Sequence, residues 1–299
     1  MISTHLDLTV RVGCHIVYET TSPTPVVFVL KPRLDDSHLV LSEVRSYEPK
    51  LACSDFFDSH GNLACRTTLR AGRNDIRHDA LVAVSSQRES QGLNVAATSL
   101  SEIPSEYLRY TLPSRYCDSD KLLDFAWQHF AQYTQGSERV QAICTWVHEN
   151  IEYRYGSGRS DLSACDIIER GYGVCRDFAH TVIALCRTFN LAARYVTGYL
   201  PEIGSVVSNT PEDFHAYCEV YLGREWYPID ARFNQSRIGR VKLSHGDDAV
   251  DGAFATIYGG ATLQYFEVWA YQVDPAEATL AQPVDLSKRW DGVPEVRVA

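Results

Sequence analysis

The sequence predicts an α+β protein in two parts: a β-sandwich over residues 1–100, then a mixed helix-and-strand domain over residues 114–275, followed by an irregular tail at 276–299. Three observations carry that expectation. The first hundred residues hold β-branched runs at short spacing, helical signals begin only at Ser119, and strand-like alternation returns after a helix that starts near Cys175.

The runs Leu6–Val12, His15–Tyr18, Pro25–Leu30, Leu39–Val44 and Leu81–Val84 are split by Pro, Asp, Ser and Gly, which suggests antiparallel strands packed as a sandwich. The polar stretch from Ser99 to Pro113 reads as a linker. Helix starts follow at Ser119 and Ser137, the second leading into the apolar series Val140, Ile143, Cys144, Val147 and Ile151. Gly171 and Gly173 then let the backbone turn sharply. Beyond them Phe178, Val182, Leu185, Cys186 and Phe189 recur at three- and four-residue steps, the mark of a helix with one buried stripe. Cys175 opens this helix and falls on its stripe.

Phe214 to Leu222 alternates, with His215, Tyr217, Glu219 and Tyr221 on one face and Phe214, Ala216, Cys218, Val220 and Leu222 on the other. This is the pattern of a half-buried strand. Gly223-Arg224 makes a short turn into Glu225–Asp230, so Leu222 faces Glu225, Tyr217 faces Asp230, and His215 becomes the diagonal neighbour of Asp230. After Asp274 the chain is irregular surface, and no internal repeat or low-complexity segment interrupts it.

Composition bounds the function. At 299 residues, 45% hydrophobic and 22% charged, with a mean hydropathy of −0.21, the chain reads as a globular protein with room for two domains. No apolar run reaches the roughly 18 residues of a membrane helix, and the opening residues lack the basic and apolar blocks of a signal peptide, so a cytoplasmic location is expected. Nine cysteines without C-x-x-C spacing argue against a disulfide framework and a zinc site. A net charge of −10 disfavours nucleic acid and anionic membranes as partners. Nothing has the spacing of a calcium loop, and neither metal nor cofactor is expected.

The chemistry lies in Cys175, His215 and Asp230. A helix N-terminus favours thiolate over thiol, and its free N–H groups suit an oxyanion. His180 is rotated roughly 140° from Cys175 about the helix, which leaves His215 as the base and Asp230 as the group that fixes its tautomer. Singly, each of the three is explained by packing. Their order and setting together make a thiol triad.

At these residues the chain resembles the transglutaminase-like superfamily of papain-type thiol enzymes. Gly173–Ala179, His215–Tyr221 and Trp226–Asn234 carry the likeness, which extends over roughly Ser119 to Asp274. It implies a papain-like fold with Cys175 as nucleophile, His215 as general base and acid, and Asp230 as the orienting carboxylate. It also implies an upstream aromatic residue that helps hold the oxyanion, with Tyr153 and Tyr155 as candidates. Gly246–Asp251 looks like the acidic loop that follows the aspartate strand in bacterial members, and the N-terminal β domain is similar to theirs in layout. The implied reaction is acyl transfer through a thioester on a polypeptide or amide substrate. Water as second nucleophile makes a cysteine peptidase or amidase, which the absence of calcium insertions favours, and an amine makes a transamidase. Cleft shape decides between them, chiefly through the loops Glu202–Asp213 and His245–Asp251. The rival expectations are arylamine-type acyl transfer and a non-catalytic binding module that retains the triad.

Overall fold

The computed structural model describes residues 5–205, 213–276 and 278–284. Six strands open the chain: β1 (Leu8–Thr20), β2 (Thr24–Phe28), β3 (His38–Glu48), β4 (Ser54–Phe57), β5 (Leu63–Leu69) and β6 (Gly72–Val84). The two runs on either side of Gly13 form the single strand β1. A Cβ at Gly13 would stand 2.4 Å from the Trp269 ring, so the glycine admits the indole without breaking the strand. The strands β4 and β5 have no counterpart in the sequence reading. All of β4 is exposed and β5 carries Arg66, Thr67 and Thr68 in its middle, so neither forms an apolar run.

The second part adds α1 (Leu123–Phe130), α2 (Gly136–Asn150), β7 (Glu152–Tyr153), α3 (Ala164–Arg170), β8 (Tyr172–Gly173), α4 (Cys175–Thr188), β9 (Ala193–Tyr199), β10 (His215–Leu222), β11 (Glu225–Ile229), β12 (Val241–Gly246) and α5 (Ala249–Gly252). Its main sheet has the antiparallel order β11-β10-β9-β12. Phe178, Val182 and Cys186 of α4 pack between Ile143 and Val147 of α2 and Cys218 and Val220 of β10. From Asp177 to Arg187 every residue of α4 is buried, more than the single stripe that its periodicity announced. The far side is covered too, where Arg187 donates to the carbonyls of Tyr110 and Leu112. The class is α+β, as the sequence predicts.

Two expectations need correction. The chain ends with β13 (Ala255–Ile257) and β14 (Thr262–Gln272), which fall inside the 114–275 range but pair with β2 and β1. They complete the sheets β13-β2-β5-β4 and β14-β1-β6-β3. Alternation marks a strand without naming its partner. One apolar core accordingly joins Val10, Val12 and Phe28 to Tyr199, Phe214, Val241 and Leu243. Nor is β10 half-buried: all eight residues are buried, since the supposed open face is covered. Glu219 lies 2.6 Å from both Arg194 and Lys242, Lys242 reaches Asp35 at 2.9 Å, and Tyr221 packs on Tyr107 and Trp226. Tyr107 belongs to a short 3-10 helix, Ser105–Thr111, that orders the expected linker. Beyond residue 284 the tail lies outside the described residues; before it, the Gln282 carbonyl accepts from Arg11 and the Ala281 N–H donates to Asp79. Among the described residues no helix is long and apolar enough to cross a membrane.

Candidate active site

Cys175 is the first residue of α4, and the turn that delivers it is built by two glycines. Gly171 ends α3 in the left-handed conformation at φ 72°. Gly173 makes room for Asp177, whose carboxylate returns to accept the Val174 N–H at 2.9 Å; a Cβ at Gly173 would lie 2.7 Å from that side chain. The thiol is partly buried and meets the backbone N–H of Ala216, next to His215. Burial pushes it up to about 11; Asp213 and Asp230 add to the rise, while the Ala216 N–H and Arg232 oppose it.

His215 opens β10, and the register Leu222↔Glu225 through Cys218↔Ile229 is the one that the turn predicts. His215 Nε2 and Asp230 Oδ2 stand 2.7 Å apart. An ionised carboxylate only accepts, so Nε2 carries the proton and donates it, and Nδ1 keeps the lone pair. Burial lowers the affinity of His215 for a second proton, against the pull of Asp230, and Arg240 and Arg232 lower it further. Burial also disfavours the Asp230 anion, yet His215 and Arg240 outweigh it and hold this carboxyl well below the usual carboxylate range. Burial thus favours the uncharged form of both groups, against the thiolate that the helix N-terminus alone suggests.

Cys175 and His215 line the same cavity, of about 510 Å³, together with Tyr153, Arg232, Phe233 and Phe254. Tyr153 ends β7, which pairs in parallel with β8 and so sits beside the turn into α4; Arg232 lies 3.8 Å over its ring. Tyr155 also lines the cavity and is more exposed. His180, set aside on helical rotation, is buried and accepts the Ala249 N–H at 3.1 Å. In the acidic loop Asp248 caps α5 by accepting from Val250 and also from Tyr116. Ala249 lines the cavity, and of the other loop residues 206–212 lie outside the described ones. His60, Asp247 and Asp251 bring ligand atoms within 4.8 Å of one another, but Arg109 already holds Asp247 through two hydrogen bonds of 3.0 and 2.6 Å.

Sequence reasoning missed Arg240 and Glu89. Arg240 donates to Asp230 at 2.7 Å and to Glu89 at 2.8 Å. Glu89 comes from the segment after β6, and no local pattern ties it to Asp230. Arg232, two residues beyond Asp230 in a motif already singled out, was within reach of sequence; its place over Tyr153 was not.

A family model of the transglutaminase-like superfamily matches residues 125–231. The crystal structure of a putative cysteine protease from Cytophaga hutchinsonii is 30% identical, aligns with a TM-score of 0.80 and covers 95% of this chain and 93% of its own. An uncharacterized protein of Mycobacterium leprae is 28% identical over 116 residues, 38% of this chain and 42% of that protein. One from Mycobacterium tuberculosis is 29% identical over 142 residues, 44% of this chain and 45% of that protein. The chain spans less than half the length of these two curated relatives.

Proposed function

Because the chain belongs to the transglutaminase-like superfamily, we propose that it is a cysteine peptidase or amidase acting on a polypeptide or other amide through a thioester on Cys175. The observation that carries the reading is the 2.7 Å bond to Asp230 from His215, which lines the cavity that Cys175 also lines. As the sulfur attacks the carbonyl carbon, its proton passes to Nδ1 of His215, and Asp230 stabilises the imidazolium that forms. Backbone N–H groups at the start of α4, with Tyr153 or Tyr155, receive the oxyanion. The imidazolium then protonates the departing amine, leaving the thioester. Water, deprotonated by the same Nδ1, attacks that thioester; the acid departs and the thiol is restored.

Wild type and Cys175→Ala are incubated with a peptide library and a primary amine, and products are scored by mass. Cleavage or deamidation by wild type alone is the expected result. Amine incorporation in its place makes the protein a transamidase, and inertness of the wild type removes the proposal.

A further inference from the structure

Asp230 is a buried carboxylate, 4% exposed. A buried anion requires a cation or a full set of donors, and a neutral imidazole supplies one N–H. Arg240 supplies the charge. Its Nη2 donates at 2.7 Å to Oδ2, the same oxygen that accepts from His215 Nε2 at 2.7 Å. The guanidinium is held from its other side by Glu89, which accepts from Nε at 2.8 Å, and it lies 4.3 Å over the Tyr217 ring. The second oxygen of Glu89 accepts the backbone N–H of Arg237 at 3.1 Å, which ties the arrangement to the loop before β12.

We propose that Arg240 is a positioning residue that provides the countercharge of Asp230 and, by sharing Oδ2 with His215 Nε2, limits how strongly Asp230 can hold an imidazolium. The proposal rests on the reading of Cys175, His215 and Asp230 as a triad. Two donors on one oxygen compete, and the share of negative charge taken by Arg240 is withdrawn from the imidazolium. Asp230 draws a proton onto His215; Arg240 and Arg232 repel it, Cys175 faces the same cavity, and Glu89 acts through Arg240. Glu89 and Asp230 together outweigh the burial of Arg240 and keep its guanidinium charged.

Iodoacetamide alkylation at about pH 6, read by mass on the Cys175 peptide of the full-length chain, tests this. Arg240→Gln is expected to alkylate faster, by about tenfold for each pH unit that His215 gains in proton affinity. Arg240→Lys returns the rate towards wild type. Glu89→Gln, which frees Arg240 to act undivided on Asp230, slows it. A merely structural arginine predicts slower labelling in Arg240→Gln with no rescue by lysine, and that outcome or an unchanged rate overturns the proposal. If thermal melting shows Arg240→Gln unfolded, Glu89→Gln decides, and an unchanged or faster rate there overturns it. His215→Ala separates the two readings. Unaltered labelling in that variant sinks the triad itself, whereas slowed labelling with no response to Arg240 or Glu89 sinks only the present proposal.

Discussion

At the scale of single residues, burial sets the chemistry. Cys14, Cys117 and Cys186 are wholly buried, and burial pushes each thiol up to about 12. Cys175 differs by lining a cavity that His215 also lines. Cys53 is exposed and Cys165 is partly exposed, so these thiols compete for a labelling reagent, and only the labelling of Cys175 is expected to depend on His215. Asp230→Asn keeps a hydrogen bond but offers an N–H where an acceptor stood, which favours the wrong imidazole tautomer. We expect kcat to fall by roughly 10³–10⁴, with KM little changed, in steady-state kinetics on whichever amide the library screen identifies. A loss of less than about tenfold would show that Asp230 is not orienting the base. The lowered proton affinity of His215 also has a sign in stability. Below its ordinary value of 6.5 the unfolded chain takes up a proton that the folded one resists, so this group destabilises the fold progressively as pH falls through and below that value. Thermal melts between about pH 7 and pH 5 are expected to show a falling Tm, with a shallower slope in His215→Gln; equal slopes would contradict the assignment.

At the scale of elements, the turn from β8 into α4 positions Cys175, the proposed nucleophile. Gly173→Ala would drive the Asp177 carboxylate from the Val174 N–H, removing a helix cap and tilting the first turn that carries Cys175. A cost of about 1–2 kcal/mol is expected in denaturant unfolding, with a larger proportional loss of activity, because the sulfur moves relative to His215. Wild-type stability in this variant would mean that the carboxylate relaxes without consequence. This element was legible because its determinants are local: glycines, a helical period and a thiol lie within a few residues of one another. The β10–β11 register was legible for the same reason, since a two-residue turn fixes which residues face each other. What escaped is what tertiary contact supplies. Arg240 reaches Asp230 from beyond Asn234, and Glu89 reaches Arg240 from the far side of the linker. The same cause hid the burial of the Glu219 face, whose partners Arg194, Lys242 and Asp35 stand on β9, on β12 and in the segment before β3.

At the scale of the whole molecule, the return of the chain through β13 and β14 binds the site to the β-rich part. Val268 and Ala270 of β14, with Phe254 just before β13, line the cavity that holds Cys175 and His215. β14 also places Trp269 against Gly13, where the indole nitrogen donates to Asp79 at 3.1 Å, the carboxylate that pairs with Arg11 at 2.7 Å. A chain ended after Gly252 keeps Cys175, His215, Asp230 and Arg240, yet it strips one edge strand from each of two sheets and opens the shared core at Phe214 and Tyr199. Two independent domains would leave the second part of such a chain folded and reactive. The common core predicts the opposite: no cooperative thermal transition, strong binding of a hydrophobic dye, and no His215-dependent labelling of Cys175. The intact protein should then melt in one step, with near- and far-ultraviolet circular dichroism changing together. Two separated transitions would show that the first strands and the β11-β10-β9-β12 sheet fold apart and that the cavity wall is borrowed, not shared.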